Sequence, residues 1–324
     1  MNCLFAARKA GLVPAFLCCT LAAPLAHAQE LVLGAGLTRF EPRDTSYAWM
    51  LSFSRDLTPA LSASFSYHNE GHTLGHHRDG HSAQIWARTQ PFDHLELAAG
   101  IGPYRFFDTA VAENREHFAN AHGWGGIGSV TATLREPGSR WLYQLRADRI
   151  VAHAAADTTQ LMATAGYRFD QDGSFAANEI AREIPRRHHE IALMSGRTII
   201  NSFDSQFARA TSFEYRHTDS PVVRYTIGWL NEGDVRLARR DGILIEGWLE
   251  PSFYRDRFTL GIGGGGYFAV DSQHAQGRSA LVILSTTFSY HFAHGWIGRL
   301  TWHRVSSNYD RDSDIVLLGI GKRF

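Results

Sequence analysis

One segment near the end of the chain combines residue types that can hydrolyse an ester. It holds a histidine, two serines, an asparagine and three aspartates: His303, Ser306, Ser307, Asn308, Asp310, Asp312 and Asp314. A serine hydroxyl is a weak nucleophile at neutral pH and needs a histidine base that a carboxylate orients. The oxyanion needs hydrogen-bond donors, for which Asn308 and nearby backbone amides are candidates. The same residue types also favour turns, so a plain surface loop remains the alternative.

The chain consists of two copies of one module, and these residues lie in the second copy. The blocks Asn69-Glu70-Gly71 and Arg78-Asp79-Gly80 recur as Asn231-Glu232-Gly233 and Arg240-Asp241-Gly242, displaced by 162 positions. Trp86 recurs as Trp248 at the same offset, and Arg168-Phe169 recurs as Arg323-Phe324. A fold that is assigned to one copy should therefore fit the other.

A histidine cluster in the first copy raises the question of a metal site. It consists of His68, His72, His76, His77 and His81. Imidazoles that lie close together bind zinc or copper. The second copy has other residues at these positions, namely Leu230, Asp234, Ala238, Arg239 and Ile243. The histidines are therefore not part of the module, and we predict no metal and no cofactor.

Each copy holds eight strand candidates of about the 9–11 residues that cross a bilayer when tilted. In the first copy they are Leu31–Phe40, Tyr47–Ser54, Leu61–Asn69, His81–Thr89, Leu95–Phe106, Ala121–Leu134, Trp141–Ile150 and Thr158–Phe169. The longer polar segments Glu70–Gly80 and Asp108–Asn120 are expected to be extracellular loops. In the last strand, one face carries Val316, Leu318, Ile320 and Phe324, as a lipid-facing wall requires.

Composition and the N-terminal segment favour an exported β-protein. Residues 1–28 are typical of a signal peptide, with Arg8 and Lys9 before an apolar run and Ala26-His27-Ala28 as the cleavage site. All three cysteines lie in this segment, so the mature chain has no thiol or disulfide chemistry. Equal numbers of basic and acidic residues, 32 each, argue against a nucleic-acid partner.

These features predict an all-β, transmembrane antiparallel β-barrel in the bacterial outer membrane, with a periplasmic β-sandwich as the alternative. We predict two tandem eight-stranded modules at residues 29–169 and 188–324. In the linker at 170–187, Ser174 could cap a short helix over Phe175–Ile184 that Pro185 ends. The length of this linker favours two closed barrels, with one sixteen-stranded barrel as the alternative.

The repeated blocks predict a polar network inside each barrel. Small barrels are filled by side chains rather than water, and buried charges must be paired. We expect the network at the outer end to contain Asn69, Glu70, Arg78, Asp79 and Gln84 in the first barrel, and Asn231, Glu232, Arg240, Asp241 and Glu246 in the second. Its expected role is structural.

At its last hairpin the module resembles the outer-membrane lipid A 3-O-deacylase family. In that family the seventh strand ends in a His-x-Ser-Asn motif and the eighth begins with an acidic residue. Here His303 is followed by Ser306-Ser307-Asn308, a spacing at least one residue longer, and Asp314 stands where the family has its acid. The resemblance implies a base at His303, a nucleophile at Ser306 or Ser307, and an acid at Asp314.

The first copy lacks this constellation. Aligned from the Arg-Phe pairs, Asp148 corresponds to His303, and Val151 and Ala152 correspond to the two serines. At most one copy can then be catalytic by this mechanism. The hypothesis is a serine esterase that removes an acyl chain from lipid A or another outer-leaflet lipid, and the alternative is a non-enzymatic structural or surface-interaction barrel. The expected partners are outer-membrane lipid or lipopolysaccharide and, because of the terminal Phe324, the outer-membrane assembly machinery.

Overall fold

The computed structural model describes residues 29–41, 44–73, 75–111, 118–153, 155–168, 188–202, 207–220, 222–250, 252–253, 257–273 and 278–324. The predicted signal peptide at 1–28 and the predicted linker helix at 175–184 lie outside the described residues. Across the described ranges, no helix has the length and apolar character needed to cross a membrane.

The first eight strands form one closed antiparallel barrel, in which β1 pairs with β8. The strands are β1 (Gln29–Phe40), β2 (Asp44–Thr58), β3 (Leu61–Thr73), β4 (His76–Phe92), β5 (Leu95–Val111), β6 (Phe118–Arg135), β7 (Trp141–Ala152) and β8 (Thr158–Arg168).

The second barrel repeats this topology and closes on itself. Its strands are β9 (His188–Ile200), β10 (Phe207–Thr218), β11 (Val223–Val235), β12 (Ala238–Leu249), β14 (Phe258–Asp271), β15 (Arg278–His291), β16 (Trp296–Ser306) and β17 (Ser313–Arg323), with a two-residue strand β13 (Ser252–Phe253) beside β14. Strand β12 pairs with β14, and β17 pairs with β9. The prediction of two eight-stranded barrels is confirmed, and the single sixteen-stranded alternative is wrong because the end strands of each module pair with each other.

The strands run further than the sequence predicted. Most of the segment Glu70–Gly80, expected to be a loop, belongs to β3 and β4, which end and begin at Thr73 and His76. Likewise β5 continues to Val111 and β6 begins at Phe118. The polar residues in the first segment suggested a loop, but several of them point into the barrel, where a lumen also requires polar side chains.

Side chains alternate between an apolar wall and a polar interior. On β17 the wall residues Leu318, Ile320 and Phe324 are exposed, as predicted, and on β9 Leu193 is exposed in the same way. The intervening positions are buried and include many charged residues, among them Arg78, Arg216, Arg240 and Arg299. We call the barrel end that carries residues 307–312 the outer end, and the end that carries Arg168 and His188 the inner end.

Candidate functional site

A buried ion pair fixes the outer end of the first barrel. Arg78 donates from Nε and Nη2 to the two carboxylate oxygens of Glu70, at 2.8 and 2.7 Å. Thr158 and Tyr104 donate to the same carboxylate, at 2.6 Å each. Four hydrogen bonds to one carboxylate satisfy a charge that could not be buried alone.

The second barrel pairs the repeated arginine and glutamate again, through one Nη2 hydrogen bond instead of two from the arginine. Arg240 donates from Nη2 to Glu232 at 2.7 Å and to Ser313, the counterpart of Thr158, at 2.8 Å. The asparagine of each block supports a β-bulge before the ion pair. The amide of Gly71 donates to Asn69 Oδ1 at 3.0 Å, and that of Gly233 donates to Asn231 Oδ1 at 2.7 Å. Both glycines have positive φ, 82° and 75°, which an L-residue adopts only with strain.

The two aspartates of the repeated blocks lie outside these networks. Asp79 points away from the lumen and accepts a hydrogen bond from Tyr67 at 3.1 Å. Asp241 is exposed. Both follow an inward-facing arginine, and the two-residue period of a strand turns the next side chain to the wall. This corrects the expectation that Asp79 and Asp241 belong to the interior network, and the same holds for Asn69 and Asn231, which are directly opposed to them in the sheet.

Gln84 and Glu246 belong to a separate polar centre, deeper in each barrel. In the first barrel, Gln84 donates to Ser129 at 2.8 Å and accepts from Arg146 at 2.8 Å, and Arg146 pairs with Asp148 at 2.8 Å. A repeated tryptophan, Trp86 or Trp248, borders each centre and donates its indole N–H to Ser64 or Thr226, at 2.8 and 2.9 Å.

In the second barrel the candidate base His303 occupies the polar centre. The Ser285 hydroxyl donates to Glu246 Oε1 at 2.5 Å and lies 2.6 Å from His303 Nδ1. A second carboxylate, that of Glu214, lies 3.9 Å from His303 Nε2. When the hydroxyl gives its one proton to Glu246, Nδ1 donates to Ser285. His303 is 0% exposed and has no hydrogen bond to Ser306 or Ser307 among the described residues.

The two candidate nucleophiles lie elsewhere. Ser306 is three positions from His303, about 10 Å along a strand, and on the opposite face. Ser307 is held in the loop between β16 and β17, where its amide and hydroxyl both donate to Asp312 Oδ1, at 2.7 and 3.1 Å. Burial raises the pKa of the Asp312 carboxyl, while nearby Arg304 and the Ser307 amide oppose that rise. Asn308, the proposed oxyanion donor, is exposed on the same loop.

Asp314, the candidate acid, faces the wall, as strand alternation requires. It accepts hydrogen bonds from Trp302 Nε1 at 3.0 Å and from Arg304 at 2.7 Å. Arg304 also lies 3.5 Å from Asp79 of the first barrel. The structure therefore brings Asp314 together with Arg304 and Trp302, and not with His303.

These contacts form part of a polar and aromatic seam between the two barrels. We define the seam as Tyr67, Asp79, His81 and Phe107 of the first barrel with Trp302, Arg304 and Asp314 of the second. The Tyr67 and Trp302 rings meet edge to face with centroids 5.0 Å apart, and Arg304 lies 5.0 Å from the Phe107 ring centre.

Beside the seam, the loop that contains Ser307 contacts the first barrel. Asn120 donates from its backbone to Asp310 at 2.8 Å and accepts from the Asp312 amide at 3.1 Å. His122 Nε2 lies 2.9 Å from the Ser307 carbonyl oxygen. The loop that the sequence suggested as catalytic therefore docks against the neighbouring barrel.

Sequence reasoning missed Ser285, Glu214 and the seam. The signal for Ser285 was present, because Ser129 occupies the corresponding place in the first barrel and bonds to Gln84, the counterpart of Glu246. The seam had no such signal. Arg304 and Asp79 are far apart in the chain, and their contact joins the two copies instead of recurring within each copy.

The histidine cluster is divided between the two faces of the first barrel wall. His68 lies inside, 3.0 Å from Ser82 Oγ, whereas His72 and His77 stack with centroids 4.0 Å apart. His76 contacts Asp108 at 3.2 Å. Within the described part of the chain, no three histidine, cysteine or acidic side chains are grouped so that they could hold a metal ion.

Comparison with known proteins gives only distant structural likeness. No protein-family model and no curated protein matches the chain. The N-terminal β-barrel domain of Pseudomonas aeruginosa OprF matches at 12% identity over 44% of this chain and 98% of its own, with a TM-score of 0.37. The Yersinia pestis attachment invasion locus protein Ail matches at 9% identity over 44% and 98%, with a TM-score of 0.35. The β domain of the Bordetella autotransporter BrkA matches at 9% identity over 92% and 99%, with a TM-score of 0.26.

The architecture itself gives the location. Both sheets close, so that each long strand pairs with two neighbours, as a β-structure in lipid requires. Their walls are apolar and their interiors polar, as in outer-membrane barrels. The chain is a bacterial outer-membrane β-barrel protein.

Proposed function

We propose that the chain is a non-enzymatic outer-membrane barrel protein that acts through its outer surface. The proposal rests on the position of His303. This histidine is enclosed in the second barrel with both neighbouring carboxylates and Ser285, and its Nδ1 is used there. A general base must reach the proton that it removes, and Ser306 and Ser307 lie on other surfaces.

Side chains fill the interiors of both barrels, which argues against an open channel. In the second barrel, Arg299 pairs with Glu190 at 2.6 Å and Arg216 with Glu250 at 2.5 Å, with side chains at most 1% exposed. In the first barrel, the pair of Arg78 and Glu70 closes the outer end. Barrels of eight strands leave only enough room for side chains, and here those side chains form ion pairs with one another.

The serine esterase is the competing hypothesis, and it rests on the resemblance of the last hairpin. For it to hold, Ser307 would have to exchange its bond to Asp312 for one to a histidine, and the loop would have to leave Asn120. The products of such an enzyme would be a free fatty acid and lipid A, or another outer-leaflet lipid, with one acyl chain fewer.

The proposed partners follow from the surfaces that remain available. Exposed wall residues such as Leu193 and Leu318 would contact outer-membrane lipid or lipopolysaccharide. Phe324, also exposed, would bind the outer-membrane assembly machinery during insertion. Loops at the outer end would meet any further surface partner.

Mass spectrometry of lipid A tests the proposal. Lipid A is extracted from cells that lack the protein and from cells that express wild type, His303→Ala or Ser307→Ala. We expect the same acyl pattern in all samples and no stepwise conductance when the purified protein is added to planar bilayers. Loss of an acyl chain in wild-type cells that His303→Ala abolishes would establish the esterase instead.

A further inference from the structure

Two arginines face each other on the outer wall of the second barrel. Arg197 of β9 and Arg209 of β10 are direct cross-strand partners in the sheet. Both are exposed and belong to the wall-facing set of their strands. Side chains of directly opposed residues start about 5 Å apart, and like charges in this arrangement destabilise a sheet.

Among the described residues, no carboxylate offsets this repulsion. In the described parts of the chain, neither arginine forms an ion pair, although most arginines of the barrel interiors do. Arg197 lies 5.0 Å from the ring centre of Phe207, and Arg209 Nε donates to Ser195 Oγ at 3.3 Å. These contacts orient the two guanidinium groups along the wall but leave their charge uncompensated.

The pair lies near the outer end of the wall. Arg197 is three residues from the outer end of β9 at Ile200, about 10 Å along the strand. Exposed Leu193 lies below it on the same face, and exposed Phe207 lies beside it at the start of β10. Aromatic and long basic side chains at this depth reach the interface between hydrocarbon and headgroup.

The first barrel has no such pair. Arg197 is registered with Val316 of β17, whose counterpart in β8 is Leu161, and Leu161 is registered with Leu37. Leu37 in turn faces Tyr47. The positions that hold two cations in the second barrel hold a leucine and a tyrosine in the first, so the fold of the module does not require the arginines.

We infer that Arg197 and Arg209 bind a phosphate-bearing headgroup of an outer-leaflet lipid. A guanidinium group offers a planar set of donors that matches phosphate oxygens, and two of them extend from directly opposed positions of this wall. The lipid acyl chains would lie along Leu193 and the neighbouring apolar wall. This inference goes beyond the proposed function, since the pair would hold a lipid whether or not the distant loop at 307–312 is catalytic.

Native mass spectrometry of the purified chain in a nonionic detergent tests the inference. The probes are lipid A with its phosphate groups, the same lipid A after removal of those groups, and inorganic phosphate as a competitor. The variants are Arg197→Gln/Arg209→Gln, each single substitution, and Arg149→Gln as the matched control. Arg149 is also a partly exposed outer-end arginine, but it pairs with Glu41 and Asp157. Altered gel migration without boiling verifies that each variant is folded.

We expect wild type and Arg149→Gln to bind phosphorylated lipid A at least about tenfold more tightly than the dephosphorylated form, because charge-assisted hydrogen bonds are lost with the phosphate. The double variant should lose this preference, and each single variant should lose part of it. Equal binding of both lipids by wild type, or an unchanged preference in the folded double variant, would overturn the inference. Complete competition by inorganic phosphate at the concentration of lipid would show a site for free phosphate and reject the lipid.

Discussion

The two barrels share their outer-end ion pair but differ in the polar centre below it. Glu70, Arg78 and Thr158 are matched by Glu232, Arg240 and Ser313, and each trio forms three hydrogen bonds of the same kind. The centres keep a serine, at Ser129 and Ser285, and a tryptophan, at Trp86 and Trp248, but differ in the charged residues beside them.

In the first barrel the centre holds an arginine from β7, and in the second the cation is Arg216 from β10. Arg146 lies 5.0 Å from the centre of Trp86, and Arg216 lies 4.4 Å from that of Trp248. The tryptophan thus keeps a stacked guanidinium group in both barrels although the arginine comes from a different strand. At the positions of Arg146 and Asp148 in the first barrel, the second barrel has Thr301 and His303.

This difference gives His303 a structural explanation. A residue that every copy of the fold needs should recur, as the outer-end ion pair does. His303 does not recur: the first barrel has Asp148 at this position, paired with Arg146. His303 is then one solution to filling a small polar space beside Glu246 and Ser285.

The largest effect is expected at the shared ion pair. Arg78→Ala and Arg240→Ala each leave a buried glutamate without its cation, which should lower the free energy of unfolding by about 3–5 kcal/mol. Urea unfolding and refolding in lipid vesicles, followed by tryptophan fluorescence and gel migration, measures the change. Arg149→Ala removes an arginine from a more exposed pair and should change stability little. A large loss in one barrel and none in the other would contradict the view that the ion pair is a common scaffold.

The next effect concerns the seam, where Arg304→Ala leaves Asp79 and Asp314 facing each other across the two barrels. We expect the contact between the barrels to weaken by about 2–3 kcal/mol because a mostly buried charge pair loses its cation. A short bismaleimide crosslink between Asn120→Cys and Asp310→Cys reports the contact, since the Asn120 amide and the Asp310 carboxylate are hydrogen-bonded. Arg39→Ala, on β1 away from the seam, is the control. Undiminished crosslinking in Arg304→Ala would show that the seam does not hold the barrels together.

The sequence was sufficient to predict the barrels but not how they contact each other. Strand alternation and the repeat predicted two eight-stranded modules because both patterns reflect local geometry and lipid exposure, and the length of the linker favoured two closed barrels over one. Polar residues were less informative. Glu70 and Arg78 line a lumen while Asp79 faces the neighbouring barrel, and a loop would have the same composition.

The candidate site was harder to predict for a related reason. The order of His303, Ser306 and Asp314 along the chain suggested proximity, yet a strand separates side chains by face as well as by distance. Glu214 and Ser285, which do approach His303, come from β10 and β15. Closure of the barrel determines these neighbours, and no spacing in the sequence encodes them.

A smaller effect is expected where each repeated tryptophan packs on a glycine. A Cβ atom built on Gly100 or Gly263 would lie 2.5 Å from the ring of Trp86 or Trp248. Valine at either position should therefore lower the free energy of unfolding by about 1–3 kcal/mol through overpacking. Gly128→Val and Gly247→Val are matched controls, because a Cβ atom there meets no other atom within 4 Å. If the controls are as harmful as the test variants, strand glycine itself matters and the packing argument fails.

The smallest effect is expected from giving the second centre the residue of the first, by Glu246→Gln. The amide oxygen can still accept the hydrogen bond from Ser285, and the substitution removes a negative charge whose second oxygen has no hydrogen-bond partner among the described residues. Loss of attraction to Arg216 and the need of the new amide for an acceptor act in the opposite direction. We therefore expect the free energy of unfolding to change by less than about 1 kcal/mol, whereas Glu246→Ala, which leaves Ser285 and His303 beside a cavity, should cost about 2–3 kcal/mol. Urea unfolding of both variants in lipid vesicles measures the difference. Equal losses for glutamine and alanine would mean that the second centre requires the charge itself, and that the two barrels differ there in electrostatics rather than only in packing.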